Sequence, residues 1–500
     1  MQKQRARQKP KGRFHLLSFS LLVVTMLLVV LIRLPAMAEG ARHYTELKFK
    51  PIPEIQVPPY TRYQLDNGMI VYLMENHSLP LVGGTALVRS GDRWEPADKI
   101  GLAGLVGAVM RAGGTKQHSP DSLNELLEQR AAAVETGIGT AAGSASFSTL
   151  TEDLPTVFGL FTEVMREPVF AREKLDVALT QWRGSIARRN DEPDDIASRE
   201  FDKLIYGKDN AYARTVEYAT LGNISREDLV KFYQQYFHPN NIILGIVGDF
   251  DTKTMRELVK QKFGDWKPTS QLLFPPLPPV SQSKQEGVFL VNQPQLTQSY
   301  IQMGHLGGQF NNPDYAALDV LGGVLNGFGG RLFNQVRSRQ GLAYTVDASW
   351  NAAYDYPGVF VAGGQTRSEA TVPFIKAIFS ELDRLRTQPI TPAELSYAKE
   401  SVLNSFVFNF QYPSQTLSRL MRYEYYGYPQ DFLFRYQRGV EATTIEDVQR
   451  VAKKYLQPDK IVTLVVGNAA DIQPPLTSLG QVKVQAVDIT IPGEPKSSSR

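Results

Sequence analysis

Hydrophobic positions alternate with polar ones and then run together on either side of Asn67-Gly68 in RYQLDNGMIVYLMEN (Arg62–Asn76). That pattern predicts two strands closed by a tight hairpin turn. PLVGGTALVRSGDR (Pro80–Arg93) and ETGIGTAAGSASFSTLTED (Glu135–Asp153) supply further strand signals of the antiparallel kind. Helical spacing is clearest in GLAGLVGAVMRAGGT (Gly101–Thr115), where Leu102, Leu105, Val106, Val109 and Met110 fall on one face. Gly104 and Gly107 sit inside that helix, each at a cost of roughly 0.5–1 kcal/mol relative to Ala, and the pattern alone gives no reason for them. Thr391-Pro-Ala-Glu394 reads as a capping box with proline at the first helical position.

The pattern also repeats. REDLVKFYQQYFHPNNIILGIVGDFD (Arg226–Asp251) and IEDVQRVAKKYLQPDKIVTLVVGNAAD (Ile445–Asp471) pair Glu227 with Glu446, Tyr236 with Tyr455, Pro239 with Pro458 and Gly248 with Gly467. Each copy reads as amphipathic helix, proline-marked turn and buried β-branched strand. A long repeat of mixed elements argues for two similarly folded halves. The proline-rich tract Lys267–Ser283 divides them. The expected fold is therefore α+β, with each half a mostly antiparallel sheet carrying helices on one face. Residues 60–266 and 284–480 form the two domains, 267–283 the linker, 39–59 a proline-rich extended segment and 481–500 a flexible tail.

Composition changes this picture mainly at the N-terminus. The 500 residues carry a formal charge of +3, but residues 1–38 hold seven basic side chains and no acid, so removing those seven leaves −4 for the rest. A mildly acidic body gives little electrostatic support for nucleic-acid binding. The basic stretch precedes the uncharged, largely apolar run Leu16–Ile32, followed by Ala36-Met37-Ala38, the pattern of a secretory signal. Both cleavage after Ala38 and retention as a membrane anchor remain open; either exports the body to the periplasm or cell envelope. The absence of cysteine excludes disulfides, thiolate nucleophiles and Cys-ligated zinc.

A search for chemistry finds little. None of His15, His43, His77, His118, His238 and His305 lies three or four residues from another, so no helical zinc pair exists. His118 and His238 sit in loop-like contexts and His305 follows a strand, which reads as structural. No Gly-x-Ser-x-Gly elbow, P-loop or dinucleotide fingerprint is present. The aromatic clusters FVFNF (Phe406–Phe410) and YEYYGY (Tyr423–Tyr428) read as core or hinge packing.

The hairpin Arg62–Pro80 and the segments Gly91–Thr115, Arg188–Arg214, Leu296–Gly308 and Arg331–Trp350, taken in order, resemble the pitrilysin/insulinase zinc peptidases. These are the inverzincins, whose helix carries H-x-x-E-H. The resemblance spans roughly residues 60–470. It implies that the motif's histidine, glutamate and histidine would stand at Gly104, Gly107 and Ala108, and the third ligand at Ser185. None of these can hold the ion or activate water, and the nearby Glu173 and Asp176 lack histidine partners. The resemblance implies an arginine and a tyrosine seven residues apart that reach from the second half toward the zinc. Arg337 and Tyr344 have that separation; Arg339 does not. It also implies a substrate-handling glycine loop at Gly327, Gly329 and Gly330.

Together these imply a zinc-free subunit, inactive alone and with no cofactor of its own. It would pair with a zinc-bearing homologue and lend Arg337 and Tyr344 to hold an extended peptide and stabilise the oxyanion. The alternatives are a structural or peptide-binding protein that kept only the fold, and a peptidase with a rewired metal site.

Overall fold

The structure, a computed structural model, describes residues 56–493 apart from 273, 275, 481 and 482. The apolar run Leu16–Ile32 and the Ala36-Met37-Ala38 site lie outside the described residues. Among those described, no helix is long and apolar enough to cross a membrane.

The first half runs β1 (Thr61–Gln64), β2 (Ile70–Glu75), β3 (Leu81–Val88), α1 (Leu102–Ala112), α2 (Pro120–Glu128), β4 (Ala133–Ile138), β5 (Gly143–Leu150), α3 (Leu154–Arg166), α4 (Arg172–Ala187), α5 (Pro193–Tyr206), α6 (Tyr218–Gly222), α7 (Arg226–Tyr236), β6 (Ile242–Gly248) and α8 (Thr252–Phe263). The second half runs β7 (Gly287–Asn292), β8 (Gln298–Leu306), α9 (Tyr315–Leu325), a π-type turn (Phe333–Arg339), β9 (Thr345–Asn351), β10 (Val359–Arg367), α10 (Thr371–Thr387), α11 (Pro392–Phe406), α12 (Pro413–Tyr426), α13 (Phe432–Ala442), α14 (Ile445–Tyr455), β11 (Val462–Gly467) and β12 (Val484–Ala486).

The two six-stranded sheets repeat one another. Their orders are β1-β2-β6-β3-β5-β4 and β12-β7-β11-β8-β10-β9, so the last five strands of each correspond one for one. In each, the strand after the repeated helix pairs in parallel, β6 with β2 and β11 with β7: Ile243 stands opposite Ile70, and Val462 opposite Gly287. The remaining pairs among these five are antiparallel. The fold is α+β with two similar halves.

Local rules explain the elements. Leu65 accepts from the Gly68 amide to close the first hairpin, with Gly68 at φ +90°, where a Cβ would be strained and would meet Asn240. Asn67 is buried and donates to the carbonyls of Phe263 and Trp266, fixing the turn to α8. Thr391 and Glu394 form the expected capping box on α11. Ser225–Asp228 and Thr444–Asp447 make matching boxes at the repeated helices.

Each half's own helices cover one sheet face. Val71 and Leu73 of β2 pack with Leu105, Phe158 and Val259, while Val465 of β11 packs with Leu318, Ile378 and Val451. The opposite faces are covered by exchange. Leu417, Leu420 and Met421 of α12, from the second half, lie on Tyr72, Met74 and Ile243 of the first sheet. Ile196, Phe201 and Ile205 of α5, from the first half, lie on Phe289, Val462 and Leu464 of the second. Double coverage explains why β6 and β11 are buried along almost their whole length, without alternation.

The tail differs from expectation. Val484–Ala486 adds a parallel edge strand to β7, and Ile491 is buried in the first half's core. Backbone pairing and one buried apolar side chain hold a segment whose polar composition suggested freedom.

Candidate functional site

The N-terminus of α1 is held by Glu95, whose two carboxylate oxygens accept from the Gly101 and Ala103 amides at 2.8 Å each. A carboxylate there satisfies amides that have no intrahelical partner. Burial nevertheless pushes Glu95 up to about 7, with the two backbone hydrogen bonds opposing.

The two glycines of α1 permit close contact. A Cβ on Gly104 would lie 2.4 Å from the indole of Trp182 on α4. One on Gly107 would lie 2.6 Å from the Ile138 nitrogen and 2.8 Å from Gly137 backbone on β4. The Gly107 carbonyl accepts from the Thr136 hydroxyl, which draws β4 onto the helix. Ala108 is exposed. Ser185, one turn beyond Trp182, is exposed too, and its hydroxyl donates to the Gln181 carbonyl of its own helix at 3.2 Å.

Thus α1 and α4 meet through an indole seated on Gly104. Gly104, Gly107, Ala108 and Ser185 together offer one hydroxyl, already used by its own helix. That donor set does not fit a zinc ion. Among the described residues no three His, Asp or Glu stand together as a metal site. Glu173 and Asp176 are exposed on α4. The histidines have local partners: His118 bonds Glu163, His238 bonds the Gln234 carbonyl, and His305 is buried between the Leu306 carbonyl and the Gln457 amide. Burial lowers the His305 pKa, favouring the neutral ring.

Arg337 and Tyr344 come together in the second half. Arg337 leaves the π-type turn with its guanidinium 4.9 Å from the Phe333 ring and 5.6 Å from the Tyr344 ring. Tyr344 is 73% exposed and the neighbouring Phe328 83%. Arg337 is exposed and has no carboxylate partner among the described residues. The backbone beneath is fixed: Leu342 N–H donates to Val336, Tyr344 N–H to Gln365, and the Thr366 hydroxyl to Leu342. A cation and a phenol are thus presented to solvent on a supported turn.

The glycine loop before them is clasped by Tyr397 of α11, whose hydroxyl accepts from the Gly329 amide at 3.0 Å. A Cβ on Gly327 or Gly329 would strike that tyrosine, and one on Gly330 would strike the Asn326 backbone. Close packing therefore accounts for these glycines before any ligand is invoked. Arg331 ends the loop in an ion pair with Glu394, Nε to Oε1 2.6 Å.

Of the two aromatic clusters, Tyr423–Tyr428 joins the halves, whereas Phe406–Phe410 packs within the second, against Phe434 and Tyr436. The Tyr425 hydroxyl donates to the Ala141 carbonyl of the first half, while Tyr426 stacks on Tyr354 of its own half at 4.6 Å. Glu424 accepts from Arg62 and from the Tyr72 hydroxyl. Sequence reasoning missed Trp182, Glu95 and Tyr397. The signal for Trp182 was present: a large aromatic three residues before Ser185 on the same helix.

Comparison with known proteins follows the same lines. A family model described as "Peptidase M16 inactive domain" matches residues 223–402. The chain is 21% identical over 406 residues to a Bacillus subtilis protein described as "Uncharacterized zinc protease YmxG", covering 81% of this chain and 97% of that protein. It is 22% identical over 426 residues to the Helicobacter pylori "Non-peptidase homolog YmxG", covering 83% and 95%. Among solved structures, a peptidase M16 inactive domain from Pseudomonas fluorescens matches with TM-score 0.74 at 22% identity, over 83% of this chain and 100% of that one. The periplasmic protease PqqL from Escherichia coli matches with TM-score 0.70 at 16% identity, over 84% of this chain and 47% of that one.

Proposed function

We propose, for a chain that belongs to the insulinase-like M16 peptidase family as one of its inactive-type members, a contributory role in proteolysis. The chain would pair with a zinc-bearing homologue and present Arg337 and Tyr344 to that partner's site. A guanidinium and a phenol would hold the peptide and stabilise the negative charge that develops on the scissile carbonyl oxygen. The export signal read in the sequence would place this pairing in the periplasm or cell envelope.

The observation that carries this reading is the exposed Arg337–Tyr344 contact, in which the cation has no carboxylate partner among the described residues. An arginine retained only for stability would ordinarily be paired or buried along its stem. The Trp182–Gly104 contact supports the complementary half of the reading, that this chain brings no metal of its own. Co-expression with a zinc-bearing homologue from the same organism tests it. Stable association and peptidase activity of the pair, with none from this chain alone, are expected. Failure to associate, or stoichiometric zinc in this chain, would overturn it.

A further inference from the structure

The internal repeat places a cavity in the second half where the first half has Trp182. Every buried residue of α9 falls on a buried residue of α1 at a constant separation of 215, from Ala317 on Leu102 to Leu325 on Met110. That register sets Asp319, Gly322 and Gly323 where Gly104, Gly107 and Ala108 stand. Matching α11 to α4 at 220 residues superposes Ala398 on Ala178 and Phe406 on Ile186, and puts Val402 in the place of Trp182. Valine leaves open the space that the indole fills.

The resulting cavity, of about 370 Å³, lies between α9, α11 and β9. Phe310, Tyr315 and Trp350 form aromatic walls, Val402 an apolar one, and Gly322 leaves part of the lining open, with no atom within 4 Å of where its Cβ would be. Asp319 is the one acid of the lining. The Tyr436 hydroxyl donates to its Oδ2, and Oδ1 has no partner among the described residues. Among the described residues no lysine or arginine forms an ion pair with it.

A carboxylate with one oxygen held by Tyr436 and the other without a hydrogen bond, set beside aromatic faces, is a favourable partner for a cation. Aromatic faces also attract cations, most strongly when water is excluded. We propose that this cavity binds a primary ammonium group, from a lysine side chain or a free amine, with Asp319 as counter-ion and the aromatic walls around its carbon stem. Burial pushes the Asp319 carboxyl above the usual range, as expected of an acid awaiting a counter-charge. The proposal does not depend on the heterodimer reading, because all of its groups belong to this chain.

Calorimetric titration of the purified chain at pH 8 tests it. The probes are N-acetyl-lysine methylamide, its uncharged analogue N-acetyl-norleucine methylamide, and n-butylammonium. Saturable binding of the lysine probe is expected, at least about tenfold tighter than the norleucine probe, the scale of a desolvated cation–π contact. Tighter binding of the lysine probe than of n-butylammonium identifies a peptide side chain as the ligand; the reverse identifies a free amine. Asp319→Asn and, independently, Val402→Trp should each abolish binding while the melting transition is retained. Equal binding of charged and uncharged probes, or no binding of either cation, would overturn the proposal. Should Asp319→Asn fail to fold, Val402→Trp and the probe comparison still decide.

Discussion

The indole of Trp182 lies against the backbone of Gly104, so close that a β-carbon there would sit 2.4 Å from its Cη2. Gly107, one turn on, rests on the backbone of β4 rather than on a side chain. The two glycines therefore differ in what a substitution must displace. Trp182 can shift the far edge of its ring, whereas the Gly137–Ile138 backbone is fixed in a hairpin. Gly107→Ala is expected to destabilise by about 2–4 kcal/mol and Gly104→Ala by clearly less. Denaturant unfolding of both variants measures this; equal losses would refute the packing account.

Restoring the metal motif follows from the same contacts. Gly104→His, Gly107→Glu and Ala108→His with Ser185→Glu would force the indole out and push α1 from β4. The quadruple variant is expected to bind no stoichiometric zinc and to unfold at lower temperature than the wild type. Adding Trp182→Ala should recover part of the stability lost at Gly104. Metal analysis and thermal melts check both statements.

The exchange of α5 and α12 makes the halves interdependent. Residues 60–266 expressed alone would expose Tyr72, Met74 and Ile243, which α12 covers in the whole chain. Such a contiguous apolar face is an aggregation liability. The fragment is expected to be insoluble alone and to be recovered in solution when co-expressed with residues 267–500. A soluble, monomeric 60–266 fragment would contradict the exchange.

Acid sensitivity follows from Glu394. Burial pushes its carboxyl up, but Arg331 and the Thr391 amide more than offset this and hold it at about 2, against an ordinary value of 4.5. A folded-state pKa below the unfolded one contributes stability that is full above about 4.5 and is lost as pH falls toward 2. Glu394→Gln should therefore flatten the decline of stability between those values and lower stability at neutral pH. A wild-type-like acid limb in the variant would dismiss this pair as a source.

Much of this architecture was legible because it is local or periodic. Asn67-Gly68, the Thr391 capping box and the repeat from Glu227 to Gly248 each announce an element from nearby residues. The exchange of α5 and α12 was not, because an amphipathic stripe specifies that a helix buries a face and not which sheet receives it. The strand Val484–Ala486 was hidden because it is three residues long and owes its place to backbone pairing with β7. At the candidate site, the sequence named Gly104, Gly107, Ala108 and Ser185 but not what surrounds them. That Trp182 fills the gap, and that Val402 leaves one open, depends on which helices meet. So does the clasp of Tyr397 on the glycine loop, which gives Gly327 and Gly329 a packing role that their spacing did not suggest.

The central claim is that Arg337 acts on substrate held at another chain's metal. Arg337→Ala removes an exposed side chain with no ion-pair partner among the described residues, so stability should change by no more than about 0.5 kcal/mol. The direct measurement is kcat/KM of the purified complex with its zinc-bearing partner, with wild-type or Arg337→Ala chain. The account expects a loss of about 10²- to 10³-fold at unchanged complex stoichiometry and melting temperature. An unchanged kcat/KM in an intact complex would contradict it.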